Sequence, residues 1–168
     1  MENSVEVVRI FLSAGHNYFG HHGRPPGTNP SISVDEVECV AGKGLVGDRF
    51  FDFKPERFPE GYAGQVTFFA WETFEDVARQ FGVTDKGPDA FRRNVITRGV
   101  DLNEWRDAEF EIQGVRFRGA GEATPCHWME TAFAPGAMKA LRGRGGLRAR
   151  ILTSGVLRVT PPVARIAS

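Results

Sequence analysis

The chain has 168 residues, a length at which one domain can bury a core without disulfides or metals. Its hydrophobic content of 41% and charged content of 25% are ordinary for globular proteins, and no apolar run is long enough to cross a bilayer, which excludes an integral membrane protein. The net charge is zero, but the N-terminal half is acidic and the C-terminal half basic. Either the C-terminal half faces an anionic partner, or the two halves neutralise each other on folding. We expect one soluble domain over residues 1–168.

The N-terminus and the cysteine count indicate a cellular compartment. The opening residues are acidic and lack the basic-then-apolar pattern of a secretory signal, which predicts a cytoplasmic location. Two cysteines, Cys39 and Cys126, cannot build a disulfide framework. In a reducing compartment we expect both as thiols, so that at least one is available for chemistry.

The first part of the chain alternates apolar strands with glycine-rich segments. Residues 5–13 predict an opening strand, and residues 14–30 form a long loop of Gly, Pro and Asn. Loops of that length in compact domains are often functional, so this loop is a candidate wall of a site. Residues 33–41 predict a second strand, residues 42–50 a glycine-dense turn, and residues 65–70 a short apolar strand.

A change of period marks the first helix. Apolar residues recur at helical spacing over residues 71–82, and Gly82 stands where a helix stop is expected. A second, shorter helix is predicted after Pro135, through Met138 and Leu141.

The rest of the chain predicts further strands. Residues 91–97 read as a strand, and residues 109–119 and 148–160 read as two hairpins with turns at Gln113-Gly114 and Ser154-Gly155. Strands outnumber helices, and no repeat or linker divides the chain. The predicted fold is a mainly β barrel with a few short α-helices.

The two cysteines have different sequence contexts. Cys39 lies in an alternating strand and is interpreted as a small buried hydrophobe. Cys126 lies between Pro125 and His127 in a stretch without hydrophobic period, which indicates a loop. A nearby imidazolium or guanidinium group would favour the thiolate form there, although a structural cysteine on a loop is also common.

Arginine-rich motifs supply candidate anion sites. Arg92, Arg93 and Asn94 place two guanidinium groups beside an amide, a combination suited to phosphate or carboxylate, or else to a solvated surface. Asp48 and Arg49 follow two glycines, and the alternative is a turn in which they satisfy each other or cap the backbone. The segment 142–150 could hold an anionic ligand or contact nucleic acid. Its alternative is a flexible turn leading into a strand with Arg148 and Arg150 on the solvent face.

The long loop carries the histidines. His16, His21 and His22 lack a cysteine or carboxylate at zinc-site spacing, which argues against a metal site. Tyr18 and Phe19 could stack on a heteroaromatic ligand or pack the loop onto the domain.

The order of these motifs resembles the MOSC domain family. The resemblance extends from about Val5 to Val159, and three of its parts are the most specific. They are Gly-Asp-Arg at 47–49, Arg-Arg-Asn-Val at 92–95 with Gly99, Asp101 and Leu102 behind it, and the single cysteine at 126. The family is named after the C-terminal domain of molybdenum cofactor sulfurase and also includes free-standing bacterial proteins and amidoxime-reducing enzymes. Members often end with a Gly-Asp pair where this chain has Arg-Val-Thr-Pro-Pro-Val.

The resemblance implies a β-barrel of the kind found in MOSC domains and pyruvate kinase, and a cofactor, the molybdenum cofactor (molybdopterin). Cys126 would ligate molybdenum or carry sulfur. The cofactor-binding residues would be Asp48, Arg49, Arg92, Arg93, Asn94 and Arg148. Thiolate is a soft ligand, and guanidinium groups suit the phosphate of an anionic pterin.

The family implies two activities that the sequence does not separate. One is molybdenum-dependent reduction of N-hydroxylated compounds, with electrons from a separate protein because the chain has no flavin, haem or iron–sulfur motif. The other is transfer of sulfur or cofactor, with a separate sulfur donor. Neither needs a membrane.

Two readings from other classes are an RNA-binding barrel and a thiol redox sensor. The absence of overall basic charge argues against the first, so we do not expect nucleic acid as a partner. The second requires Cys39 to reach Cys126 as a resolving thiol.

Overall fold

The computed structural model describes residues 5–17 and 27–161. The described strands are β1 (Glu6–Leu12), β2 (Ile32–Val34), β3 (Glu36–Val40), β4 (Gly44–Leu45), β5 (Val66–Ala70), β6 (Val95–Arg98), β7 (Glu109–Ile112), β8 (Val115–Glu122), β9 (Leu147–Ile151) and β10 (Gly155–Arg158). The α-helices are α1 (Trp71–Phe81), α2 (Trp128–Ala132) and α3 (Ala137–Ala140), and two 3₁₀-helices span Pro88–Phe91 and Leu102–Trp105. None of these helices is long and apolar enough to span a bilayer.

The described strands form two sheets. A seven-stranded sheet has the order β2-β1-β6-β5-β9-β8-β7, and a three-stranded sheet has the order β10-β3-β4. Only β5 and β6 pair in parallel among these ladders, and α1 lies in the connection between them, as a parallel crossover requires. The prediction of a mainly β chain with few short helices is confirmed. Hydrogen bonding closes neither sheet of the described residues, so the barrel is not confirmed.

Two hydrophobic cores lie on the two faces of the seven-stranded sheet, because neighbouring residues of a strand point to opposite faces. Phe68 and Val95 belong to a core shared with the three-stranded sheet, which also buries Cys39. Phe69 and Ile96 belong to a core under the helices. The helical layer adds the following residues: Phe74 and Val77 of α1, Met129 of α2, and Phe133, Ala137 and Leu141.

The helix and one hairpin have the predicted form. Helix α1 ends at Gly82, whose φ of 63° is left-handed and whose N–H contacts the Ala78 and Arg79 carbonyl groups. Strands β7 and β8 pair around Gln113 and Gly114, both with positive φ. The second predicted helix is present as α3.

Two predicted strands have different bounds. The strand expected over residues 33–41 is divided at Asp35, because β2 pairs with β1 in one sheet and β3 with β10 in the other. The strand expected over residues 91–97 begins only at Val95. Arg92 has a φ of 57° as it ends a 3₁₀-helix, so the chain turns there before it extends.

The hairpin predicted over residues 148–160 is wrong. Strand β9 pairs with β5 and β8, whereas β10 pairs with β3 in the other sheet. Ser154 fixes this change of sheet, since its hydroxyl accepts a hydrogen bond from the Ala41 N–H at 2.9 Å. Cross-sheet pairing of this kind has no local signal.

Ion pairs join the acidic and basic halves of the chain. Glu6 pairs with Arg98 at 2.9 Å, Asp76 pairs with Arg144 at 2.5 Å, and Glu36 pairs with Arg158. These contacts support the interpretation that the halves neutralise each other on folding.

Candidate functional site

A cavity of about 210 Å³ lies beside Cys126, at the start of α2. Its lining combines one thiol with three guanidinium groups. The lining residues are His16, Asn17, Arg49, Phe91, Arg92, Arg93, Cys126, Trp128 and Met129. Among the described residues that line it, none carries a carboxylate. We call this the Cys126 cavity.

Cys126 is half-buried at the edge of the core under the helices. Its carbonyl oxygen accepts the Met129 N–H at 3.1 Å, in the turn that leads into α2. The Met129 Sδ atom lies 3.8 Å from Cys126 Sγ and 3.5 Å from the Cys126 backbone nitrogen. The thiol therefore has a fixed position with one side against a buried thioether and the other toward the cavity.

Arg93 fixes the segment that carries Cys126. Its Nε donates to the Gly145 carbonyl at 2.9 Å, and Nη2 donates to the Ala123 carbonyl at 2.8 Å and the Thr124 carbonyl at 3.4 Å. Nη1 donates to the Phe91 carbonyl at 3.2 Å. Burial lowers the pKa of Arg93 to about 10, while the nearby Cys126 acts in the opposite direction. The guanidinium group remains cationic at neutral pH beside the thiol.

Arg92 holds the base of the long loop. Its Nη2 donates to Ser13 Oγ and to the Gly15 carbonyl, both at 2.7 Å, and Nη1 donates to the Asn29 carbonyl at 2.8 Å. The guanidinium carbon lies 5.8 Å from the centre of the Trp128 ring. Burial lowers its pKa to about 10, so Arg92 is also cationic at neutral pH.

Asp48 and Arg49 pair with each other and bind neighbouring backbone groups, as the turn interpretation predicts. The buried Asp48 accepts the Ser13 N–H at 3.1 Å and the Phe50 N–H at 3.3 Å, and pairs with Arg49 at 3.3 Å. Arg49 also donates to the Arg92 carbonyl at 3.2 Å. Burial lowers the pKa of Arg49, and Asp48 opposes that shift.

Asn94 is buried behind the cavity with its amide fully engaged. Its Oδ1 accepts the Thr67 N–H at 3.0 Å and the Thr67 hydroxyl at 3.1 Å, and Nδ2 donates to the Phe11 carbonyl at 3.1 Å and to Asp48 at 3.2 Å. Asn94 therefore joins three strands and does not line the cavity. Asp48 is also buried and also lies outside the cavity lining.

Arg148 also lies outside the cavity lining. It alternates with buried residues on β9, and its Nε donates to the Glu122 carbonyl at 3.1 Å. Gly145 and Gly146 before it are buried against other backbone, because a Cβ there would overlap the Ala123 and Phe68 carbonyl oxygens respectively. The segment 142–150 is therefore part of the packed domain rather than an extended basic arm.

The guanidinium groups of the cavity retain unused donors. An arginine has five N–H groups. Hydrogen bonds within the described residues occupy two of those of Arg49, three of those of Arg92 and four of those of Arg93. Arg49 is thus the arginine with most capacity for a ligand, and Arg93 the one most committed to structure.

An aromatic cluster beside the cavity has no counterpart in the sequence prediction. His16 lies edge-on to Phe50, with ring centres 4.9 Å apart, and the cluster continues through Phe53, Phe58 and Tyr62. Burial, followed by the charge of Arg49, lowers the pKa of His16. The excess of aromatic residues over 50–62 was the available signal. His21, His22, Tyr18 and Phe19 lie outside the described residues.

The two cysteines cannot act as a resolving pair in this fold. Cys39 is fully buried in the core shared by the two sheets, whereas Cys126 packs on the core under the helices. The seven-stranded sheet stands between them, beyond the Cα separation of under about 7 Å that a disulfide requires. Cys39 therefore cannot serve as the resolving thiol that the redox-sensor hypothesis requires. Within the described residues no three His, Cys, Asp or Glu side chains form a metal-binding group.

Comparison with known proteins identifies the family. The fold is similar to the YuaD protein from Bacillus subtilis, with a TM-score of 0.69 and 16% identity over 92% of this chain and 91% of that one. It is also similar to YiiM from Geobacillus stearothermophilus, with a TM-score of 0.66 and 16% identity over 94% and 73% of the two chains. For YiiM from Escherichia coli the TM-score is 0.60, with 19% identity over 96% and 72%. No curated protein gives a significant match to the sequence. The sequence profile of the MOSC domain matches residues 55–164, well over half of the chain, and the protein therefore belongs to the MOSC domain family.

Proposed function

We propose that the Cys126 cavity binds the molybdenum cofactor, with the Cys126 sulfur as the ligand that the chain offers to the metal. The single observation that carries this proposal is the composition of the cavity: one thiol, three guanidinium groups and, among the described lining residues, no carboxylate. Soft thiolate ligands and charge-assisted guanidinium forks are the groups that a metal bound to an anionic pterin would need.

The donor set fits this cofactor, and the volume limits how much of it enters. A cavity of about 210 Å³ is below the range of roughly 300–1,000 Å³ that encloses drug-sized ligands. The cavity would hold the end of the cofactor that reaches Cys126, and the remainder would extend beyond it. Arg148, on β9, would contact that outer part.

Each residue of the site would have a separate role in cofactor binding. Arg49 and Arg92 would bind anionic groups through their unused N–H donors. Arg93 would hold the Cys126 segment in place and supply positive charge beside the sulfur. Asp48 and Asn94 would position Arg49 and the strands behind it. The bound cofactor would supply the two-electron redox chemistry.

The activity proposed for this arrangement is reduction of N-hydroxylated compounds. That reaction consumes two electrons per turnover, and we propose that a separate redox protein delivers them to the cofactor. We further propose that the chain closes into a MOSC barrel and that the protein works in the cytoplasm.

Sulfur transfer is a second candidate, and the size of the cavity favours it. A small cavity around one thiol suits a persulfide that receives sulfur from a donor protein and passes it on. Cys126 has no resolving cysteine within reach, so a persulfide there would not be discharged as an internal disulfide.

Metal and pterin analysis tests the proposal. The full chain is produced in a host that makes the cofactor, purified without oxygen, and compared with Cys126→Ser and with Cys39→Ala as the matched cysteine control. We expect stoichiometric molybdenum and pterin in the wild type and in Cys39→Ala, with loss of molybdenum in Cys126→Ser. Full loading and full reduction of an N-hydroxylated substrate in Cys126→Ser would refute the role of Cys126.

A further inference from the structure

The structure points to an activity that needs no cofactor: we propose that the Cys126 cavity accepts small sulfane-sulfur oxyanions, of which thiosulfate is the simplest, and transfers their outer sulfur to Cys126. The inference rests on the sulfur-transfer form of the proposed function, since it names the donor for that role. It does not depend on molybdenum or pterin binding.

The charge of the cavity selects for a small dianion. Arg49, Arg92 and Arg93 all line it, while Asp48, which pairs with Arg49 at 3.3 Å, lies outside the described lining. A thiolate and a dianion together carry three negative charges, and the three guanidinium groups offset most of them, since Asp48 compensates part of the Arg49 charge. Without those groups, repulsion between the thiolate and the dianion would oppose their approach.

Unused hydrogen-bond donors in the cavity match the same ligand. Within the described residues, Arg49 keeps three N–H groups without a partner and Arg92 keeps two. The three oxygen atoms of thiosulfate can accept these donors as charge-assisted hydrogen bonds. The ligand has five heavy atoms, so the cavity of about 210 Å³ holds all of it, unlike the molybdenum cofactor.

The surroundings of the sulfur suit the transferred atom. Cys126 Sγ lies 3.8 Å from the Met129 Sδ, a polarisable and uncharged neighbour. The Arg93 guanidinium lines the same cavity and places positive charge on the side of the sulfur that a ligand would approach. The same charge would stabilise the persulfide anion after transfer.

The transfer step balances without an external oxidant. The Cys126 thiolate attacks the outer sulfur of thiosulfate, and a new sulfur–sulfur bond forms on Cys126. The original sulfur–sulfur bond breaks, and sulfite leaves with the electron pair. The products are the Cys126 persulfide anion and sulfite, and a thiophilic acceptor such as cyanide then removes the outer sulfur and regenerates the thiolate.

Mass spectrometry and a thiocyanate assay test the proposal on the full chain after its molybdenum and pterin contents have been measured. Incubation with thiosulfate should add the mass of one sulfur atom to Cys126, and subsequent cyanide should release one thiocyanate per chain. Cys126→Ser should abolish both signals, and Cys39→Ala should retain both. Absence of the added sulfur on Cys126 in the folded wild type would overturn the inference.

Substitutions that remove a positive charge show whether the cavity selects an anionic sulfur donor or whether Cys126 reacts as any accessible thiol would. Arg49→Gln should slow sulfur transfer from thiosulfate about tenfold, because it removes the arginine with most unused donors. Arg116→Gln is the matched control, since Arg116 is exposed and pairs with Glu109 outside the cavity. The rate of sulfur transfer from a neutral trisulfide donor should not change with either substitution. Equal slowing of both donors by Arg49→Gln, or no slowing of either, would also overturn the inference.

The two proposals fail separately. Loss of molybdenum and pterin binding with retained thiosulfate chemistry would refute the cofactor proposal alone. Normal loading in the wild type without sulfur transfer in cofactor-free chains would refute the thiosulfate inference alone.

Discussion

Cys39 and Cys126 lie on opposite sides of the seven-stranded sheet, and the contrast between their surroundings accounts for the functional assignment. Cys39 is fully buried on β3, where it pairs with Leu45 on one side and Gly155 on the other. Burial raises its thiol pKa to about 12, and the neighbouring Glu38 adds to the effect. Cys126 is half-buried and lines a cavity together with Arg93. Position relative to the sheet, rather than residue type, separates an inert thiol from a candidate reactive one.

The largest expected effect is the difference in alkylation rate between the two thiols. With iodoacetamide at pH 8, we expect Cys126 in the folded chain to react about 1,000-fold faster than Cys39, because the thiolate is the nucleophile and burial suppresses it at Cys39. Peptide mass spectrometry over a time course measures both rates. In denaturant the rates should converge. Comparable labelling of both cysteines in the folded chain would break the comparison.

Arg93→Met should have the next largest effect, because it removes four hydrogen bonds to carbonyl groups and leaves those groups without their donor. The free energy of unfolding should fall by about 3 kcal/mol. Loss of the positive charge from the cavity should also slow alkylation of Cys126, because the thiolate is the nucleophile. Denaturant unfolding and the iodoacetamide assay measure the two effects.

The Arg93→Lys variant distinguishes the effect of the positive charge of Arg93 from the effect of its hydrogen-bond geometry. Lysine keeps the positive charge but lacks the planar fork, so the alkylation rate should recover more than the stability does. Arg116→Met, on the exposed face of β8, is the matched control and should change unfolding by under about 1 kcal/mol. Identical behaviour of Arg93→Met and Arg116→Met would show that Arg93 does not hold the site.

The sequence predicted the features that local pattern determines. The period over 71–82 gave α1, and Gln113-Gly114 gave the β7–β8 hairpin, because helix spacing and turn chemistry act over a few residues. The strand context of Cys39 predicted its burial. These are interactions within one element or between two adjacent ones.

The sequence could not predict what distant residues decide. The hairpin over 148–160 failed because β10 finds its partner in β3, more than a hundred residues earlier. Helix α2 has five residues, too few to show a period. The sequence groups residues 92–94 into one candidate site, but their three side chains point to different places. Arg92 contacts the base of the long loop, Arg93 contacts the segment before Cys126, and Asn94 contacts the interior of the sheet. That division of roles depends on tertiary contacts.

Cys39→Ala should have a moderate effect confined to stability. The substitution removes a buried sulfur atom from the core between the sheets, and the free energy of unfolding should fall by about 1 kcal/mol. The alkylation rate of Cys126 should not change, because the seven-stranded sheet separates the two sites. Denaturant unfolding and the iodoacetamide assay check both statements. A changed rate at Cys126 would show that the two cores are coupled.

The smallest expected effect concerns pH and His16 at the cavity. Burial and the Arg49 charge lower the pKa of His16 below the value of 6.5 that applies to the unfolded chain. The folded state therefore binds this proton more weakly than the unfolded state does. The associated stability is present above pH 6.5 and is lost as the pH falls through the lowered pKa of the folded state. Because burial covers only part of the His16 side chain and the rest is exposed, solvent screens the effect.

His16→Gln should remove that contribution. We expect the fall in Tm between pH 7.5 and pH 5.5 to be smaller in His16→Gln than in the wild type by under about 2 °C. His127→Gln, which changes an exposed histidine outside the cavity lining, is the matched control. A fall in His16→Gln that equals the wild-type fall would mean that Arg49 and His16 do not share an electrostatic environment. The cavity would then be less cationic toward its ligand than its three arginines imply, and the contrast with the uncharged surroundings of Cys39 would be weaker.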